Sequence, residues 1–213
     1  MKTGIIFDLD GTLLNTIDDL RDAVNYTLRQ YGLPERTKAQ VLDAIGTGAR
    51  NLVRYSLPGN PDDSYVDQVL ATYQAYYATH AKIKTRPYEG IPQALEEIGR
   101  KYPIAIVSNK PDIAVKSLCA EFFGSHIFAL GETADIPRKP APDMVYKAME
   151  AIGVDACIYV GDSEPDVQVS KNAHCKCLSV LWGFRDEECL KKAGAEYFCR
   201  DPKDLLDTLE SMM

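Results

Sequence analysis

The segment Ile5-Ile6-Phe7-Asp8-Leu9-Asp10-Gly11-Thr12-Leu13-Leu14 constrains this chain more than any other. A short apolar run of this kind reads as a buried strand, and here it stops abruptly in two carboxylates and a glycine turn. Carboxylates at the end of a buried strand are costly unless they do chemistry or hold a metal. In open α/β sheets, ligand sites lie beyond the carboxyl ends of the strands. The chain therefore begins by placing an acidic reaction centre at the top of a sheet.

Later segments supply the rest of that sheet. Strand-like runs at 103–108, 127–130, 157–161 and 177–181 alternate with helical stretches at 91–101, 112–123, 142–152 and 167–173. Helices at 185–193 and 203–211, with Tyr197-Phe198 as a short strand between them, close the chain. Such alternation implies a parallel sheet covered on both faces. Between the first strand and this region the pattern is helical, over 18–31, 38–44, 49–56 and 64–81. Gly32-Leu33-Pro34, Gly46-Thr47-Gly48 and Pro58-Gly59-Asn60-Pro61 punctuate those helices. The fold expected is α/β: a Rossmann-like parallel sheet core of residues 1–14 and 84–213, with a helical-bundle cap of residues 15–83 inserted after the first strand. A length of 213 residues has room for one sizeable core and a smaller lobe.

Composition removes several classes of function. A net charge of −7 argues against a nucleic-acid binder, which would show a basic face. No run approaches the ~20 apolar residues of a membrane span. The N-terminal apolar run is cut by Asp8 and Asp10, against a signal peptide, so a cytoplasmic location is expected. The six cysteines, at 119, 157, 175, 177, 189 and 199, then read as reduced thiols. Cys175 and Cys177 follow His174, but a structural zinc would need a second ligand pair, and Cys177-Leu178-Ser179-Val180-Leu181 reads as a strand in which cysteine is a small apolar residue.

Three strands end in polar residues with no packing role: Asp8-Leu9-Asp10, Ser108-Asn109-Lys110, and Gly161-Asp162-Ser163-Glu164-Pro165-Asp166. A proline-stiffened loop, Arg138-Lys139-Pro140-Ala141-Pro142-Asp143, adds cations. Each alone is an ordinary turn or helix cap. Four together at the ends of one sheet are a strong signal.

This ordered set resembles the haloacid dehalogenase superfamily, and the helical insert after the first motif is similar to its C1-capped hydrolases. Asp8 to Asp19, Gly46-Thr47-Gly48, Val107-Ser108-Asn109-Lys110 and Trp182-Gly183-Phe184 are similar to phosphoglycolate phosphatases. The resemblance implies magnesium-dependent hydrolysis of a small phosphorylated metabolite through an aspartyl-phosphate. Phosphoglycolate is the first substrate to expect, with pyrophosphate, nucleotides or sugar phosphates as alternatives. By motif position Asp8 is the nucleophile and Asp10 the acid that protonates the leaving oxygen and then accepts a proton from water. The Asp8 carboxylate, the Asp10 carbonyl and the Asp162 carboxylate are the implied ligands of Mg2+. Asp166, one helical turn beyond Asp162, faces the same site and orients water or Lys139.

Lys139 is the cation expected to neutralise the phosphoryl group, and Ser108, with Gly11 and Thr12, is expected to hold its oxygens. Pro111 suits the first position of the following helix. Asn109 either contacts substrate or orients Asp8. Lys110 and Arg138 read equally well as solvated loop charges. In the cap, Arg50 is the candidate partner of a substrate carboxylate, with a plain surface arginine as the alternative. Thr16 reads as the N-cap of the first cap helix with Asp19 at its third position; most phosphatases of this kind have Asp-Ser where this chain has Asn15-Thr16.

Other chemistries on such a scaffold fit less well. Carbon–halogen cleavage has no use for Asp10. A Schiff-base lysine and a mutase histidine have no counterpart early in the first cap helix, where Leu20 stands. A non-catalytic phosphate binder would need neither nucleophile nor acid. A monomer or a dimer is compatible with the sequence.

Overall fold

A computed structural model describes residues 2–213. In chain order the elements are β1 (Thr3–Phe7), β2 (Leu14–Asn15), α1 (Ile17–Gln30), α2 (Lys38–Ala44), α3 (Ala49–Ser56), α4 (Asp63–His80), β3 (Arg86–Pro87), α5 (Ile91–Lys101), β4 (Ile104–Pro111) and α6 (Asp112–Phe122). There follow β5 (Phe128–Glu132), α7 (Asp143–Ile152), β6 (Ala156–Gly161), α8 (Glu164–Asn172), β7 (Lys176–Val180), α9 (Glu187–Ala193), β8 (Tyr197–Cys199), a 3₁₀ turn at Pro202–Asp204 and α10 (Leu205–Ser211). Two compact units result: the chain up to Asn15 together with Pro87–Met213, and Thr16–Arg86.

The first unit is the α/β sheet. Six strands lie in the order β5-β4-β1-β6-β7-β8, and every pairing is parallel. After β1 the chain builds outward on one side through β4 and β5, then returns to the other side of β1 with β6. The strand order therefore reverses around β1, the position where open α/β sheets place their ligand crevice.

Both faces of the sheet are covered, which is why β1 reads as an unbroken apolar run. Side chains alternate along a strand. Ile5 and Phe7 accordingly join one core with Leu95, Ile98, Leu118, Leu205 and Leu209 from α5, α6 and α10. Ile6 joins the other, with Met144, Val145 and Ala148 of α7, Val169 of α8, and Tyr159.

The second unit is helical. Buried Leu20, Ala23, Val24 and Leu28 of α1 and Val66, Val69, Tyr73 and Tyr77 of α4 form its apolar interior, with Leu52 and Val53 of α3. Side-chain caps set two of its helix starts. Thr37 and Gln40 make a reciprocal capping box on α2, and Asp62 accepts the Tyr65 amide at 2.8 Å on α4.

The first cap helix departs from its expected start. Thr16 holds the N-cap position but makes no capping bond, and its buried hydroxyl has no partner among the described residues. Its backbone, at φ −107° and ψ −2°, is not the extended form that turns an N-cap oxygen toward the helix amides. Asp19 instead accepts the Lys84 and Thr85 amides and the Thr85 hydroxyl, at 2.8–2.9 Å, and fixes the returning chain. Pro111 also differs from expectation. It is the last residue of β4 and the N-cap of α6, not its first helical residue.

The two-faced core predicts unequal costs for similar truncations. Ile6→Ala, at a fully buried position, should cost about 2–5 kcal/mol, while Ile113→Ala, at a side chain 83% exposed, should change stability by no more than about 0.5 kcal/mol. Urea unfolding midpoints at constant slope measure both.

Candidate active site

The loop after β1 is bound tightly to its own strand and to the next. The Asp8 amide donates to Val160 O at 2.8 Å, and the Leu13 and Leu14 amides return to Leu9 O at 3.0 and 2.9 Å. Gly11 adopts φ +88°, and a methyl group there would overlap the Asp162 carboxylate, so only glycine lets the two pass.

Asp162 follows β6 and is buried. Its Oδ1 accepts the Thr12 hydroxyl at 3.0 Å and its Oδ2 accepts the Phe184 amide at 2.7 Å. The Trp182 indole donates to Thr12 O at 2.9 Å and so ties the loop after β7 to the loop after β1. Gly183 lies between those two anchors, where any side chain would strike Asp162.

Lys139 occupies the centre. Its Nζ donates to Asp8 Oδ1 at 2.7 Å, to Asp166 Oδ1 at 2.7 Å and to the Tyr159 hydroxyl at 3.0 Å. Tyr159 in turn donates to Val107 O. Asn109 holds the Lys139 backbone from both sides: its Nδ2 donates to the Lys139 carbonyl at 3.0 Å and its Oδ1 accepts the Lys139 amide at 2.8 Å. Asp166 Oδ2 accepts the amide and hydroxyl of Ser163, which caps α8 and fixes the carboxylate's orientation.

The electrostatics follow from burial. Desolvation, with Asp166 and Asp10 nearby, pushes Asp8 up to about 7 against the pull of Lys139. Asp162 is raised well above the carboxylate range, chiefly by burial and then by Asp166 and Asp8. Burial alone would lower the Lys139 ammonium, but Asp166 and Asp8 outweigh it and hold it charged.

Asp8, Asp162 and Asp166 each bring a buried carboxylate oxygen within 4.8 Å of the others. Three hard oxygens gathered so closely suit a hard divalent cation. Asp166 has one oxygen on the Lys139 ammonium and the other on Ser163, whereas Asp162 meets neutral donors, the Thr12 hydroxyl and the Phe184 amide.

The core residues expected from sequence thus come together in one unit. Ser108, within β4 and just beyond its pairing with β1, is buried and accepts the Lys110 amide at 3.3 Å. Asn109 meets the backbone of Lys139; neither substrate contact nor orientation of Asp8 had anticipated that bond. Lys110 is no solvated charge: its side chain is 3% exposed and its Nζ lies 3.0 Å from Asp10 Oδ2. Arg138 is the surface cation, paired with Glu132 at 3.0 Å. Arg50 also departs from expectation. Within the helical unit its guanidinium is held by Asp63 and Asp67 of α4, at 3.0 and 2.7 Å, an occupation that only the next helix reveals. Tyr159 and the Phe184 amide went unread. One is a hydroxyl inside an apolar strand, the other a backbone donor that no side-chain pattern announces; the glycine between two aromatics at 182–184 was the available clue.

Comparison with known proteins agrees with this geometry. The haloacid dehalogenase-like hydrolase family matches residues 5–180. The phosphoglycolate phosphatase of Aquifex aeolicus is 32% identical over 97% of this chain and 96% of its own length. That of Pseudomonas syringae is 34% identical over 84% of this chain and 70% of its own. A crystal structure from Lactobacillus delbrueckii subsp. bulgaricus, of a protein provisionally assigned as a phosphoglycolate phosphatase, superposes with a TM-score of 0.91 at 36% identity, covering 98% of this chain and 99% of that one. No helix among the described residues is long and apolar enough to cross a membrane.

The raised Asp8 makes a prediction about stability. Its pKa is 3.8 in an ordinary setting and about 7 in the fold, so the folded state holds the proton more tightly. The stability this contributes is complete below about pH 4 and is lost as pH rises through about 7. Asp8→Asn removes that loss. With chelator present, its melting temperature minus that of the parent should grow from pH 4 to pH 8, reaching roughly 4–8 °C for about 2 kcal/mol relieved. A difference that stays flat across the range would contradict the assignment.

Proposed function

The chain belongs to the haloacid dehalogenase-like hydrolases, and from that premise we propose that it hydrolyses phosphomonoesters through an aspartyl-phosphate on Asp8, with phosphoglycolate as its first substrate. The observation that carries the reading is the Lys139 ammonium bonded at once to Asp8 and Asp166. It takes one oxygen, Oδ1, of the nucleophile, and the reading assigns the attack to the other. The phosphoglycolate assignment draws on the names of the relatives and on their near-complete overlap with this chain.

In this mechanism Asp8 Oδ2 attacks phosphorus while Asp10 gives its proton to the departing alcohol oxygen. Asp10 then takes a proton from the water that cleaves the acyl phosphate. Ser108 and the Thr12 amide receive the phosphoryl oxygens, Gly11 leaves room for the close approach with its own amide on Leu14 O, and Lys139 balances the charge. Asn109 holds the backbone of Lys139 and so helps to place its ammonium. Carboxylates of Asp8 and Asp162 with the Asp10 carbonyl would hold Mg2+, which lets two anions meet by neutralising charge between them. Asp166 stays behind Lys139. A cytoplasmic setting belongs to the same reading and accords with six cysteines that are all free thiols.

The test is phosphate release with magnesium across phosphoglycolate, pyrophosphate, nucleoside monophosphates and sugar phosphates. Phosphoglycolate should lead in kcat/KM by at least about tenfold, and Asp8→Asn should lower turnover at least about a thousandfold. A panel led by another ester would replace the substrate while keeping the chemistry. Turnover undiminished in Asp8→Asn would overturn the chemistry itself.

A further inference from the structure

A second buried lysine serves the site. Ser108, Asn109 and Lys110 are consecutive and buried, as expected in a sheet covered on both faces. A regular strand would send alternate residues to opposite faces. Here the register of β4 against β5 shifts between Val107 and Pro111, across these three residues. Irregularities of this kind re-aim side chains beside active sites. Two local features hold it. Ser108 Oγ accepts the Lys110 amide at 3.3 Å, and a side chain at Gly131 on β5 would strike the Lys110 carbonyl and Asp112.

The redirected Lys110 meets Asp10. Its Nζ lies 3.0 Å from Oδ2 of that carboxyl. The other oxygen, Oδ1, is buried and has no hydrogen-bond partner among the described residues. Buried carboxyl oxygens are normally satisfied, so an orphan beside a nucleophile marks a place for an incoming group. The two aspartates are thus fixed by separate cations, Asp8 by Lys139 and Asp10 by Lys110.

We propose that Lys110 is the positioning residue of the proton-transfer step: it anchors Asp10 by Oδ2 and presents Oδ1 as the atom that carries the proton to the leaving oxygen. This rests on the hydrolase reading above. As the bond between phosphorus and the ester oxygen breaks, a bond forms between phosphorus and an Asp8 oxygen. The Oδ1 proton moves to the departing alkoxide, which leaves as a neutral alcohol, and the negative charge left on Asp10 faces Lys110. In the second step Oδ1 recovers a proton from water, whose oxygen bonds to phosphorus as the bond to Asp8 breaks.

Such a role is separable from a structural one by leaving group. A 4-nitrophenolate departs without a proton; an alkyl alcohol such as glycolate needs one. Lys110→Met should lower kcat on phosphoglycolate, or on whichever alkyl ester leads the panel, by about a hundredfold, the lower range of general acid catalysis. On 4-nitrophenyl phosphate the loss should stay below about tenfold. Lys110→Arg, which keeps a cation in place, should recover part of the alkyl activity. Because Lys110→Met leaves Asp10 buried without its cation, the change is also made in Asp10→Asn, where no charge is orphaned. There Lys110→Met should lower alkyl turnover by no more than about twofold further, since a residue acting through Asp10 has nothing left to position. Equal losses on both esters, an unchanged alkyl rate, or a full further loss in the Asp10→Asn background would each overturn the proposal. Its failure stays distinct from that of the hydrolase reading: the latter fails only if the parent protein lacks Asp8-dependent turnover.

Discussion

One buried ammonium holds this site together. Lys139 is bonded to Asp8, Asp166 and Tyr159, which come from the end of β1, the first turn of α8 and the middle of β6. Its own backbone is held by Asn109 of β4. Four separate stretches of chain therefore meet at one positive charge. Removing a single partner of a buried ion pair typically costs about 3–5 kcal/mol, and removing this one would orphan two carboxylates. The arrangement is also unfinished electrically. Asp8, Asp162 and Asp166 bring more negative charge than one lysine can balance, and burial, with their mutual repulsion adding to it, raises Asp8 and Asp162. A site that holds surplus negative charge in the dry end of a sheet is prepared to receive a cation before it receives an anion.

Close backbone approach supports the same charge pattern. Asp162 sits between Gly11 and Gly183, with no room for a side chain at either. The Thr12 hydroxyl and the Phe184 amide then take one oxygen each. A carboxylate fixed at both oxygens loses little freedom on binding a metal, the condition under which few ligands suffice. The indole of Trp182 completes the link by holding the Thr12 carbonyl, so displacement of one loop carries the other with it.

Much of this was legible in the residues because it depends on local pattern. The sheet announced itself through β1 and β6, whose apolar runs are continuous for the plain reason that both faces are covered. The helices of the inserted segment followed from their punctuation, and α2 spans the residues 38–44 that the pattern marks as helical. What stayed hidden depends on long-range placement. Lys110 and Arg138 are both cations in polar loops, yet one is buried on Asp10 and the other lies at the surface on Glu132. Only a register shift in β4 separates the two, and sequence carries no mark of it. Arg50 looked available because its partners, Asp63 and Asp67, lie on a different helix. Thr16 has the right side chain for a cap but the wrong backbone angles.

The position of β1 in the sheet has a consequence for how the protein is made. Asp8 follows β1, whose neighbours in the sheet are the later strands β4 and β6, drawn from residues 104–111 and 156–161. Of the two groups that orient Asp162, Thr12 lies in the loop after β1 and Phe184 comes later still. Pairings over such sequence separations close slowly, because the loop entropy falls due before the contacts form. A chain still emerging from the ribosome therefore carries a carboxylate with neither its lysine nor its acidic partners in place. The cluster of carboxylates around Lys139 and Phe184 is assembled only when nearly the whole of this length has folded.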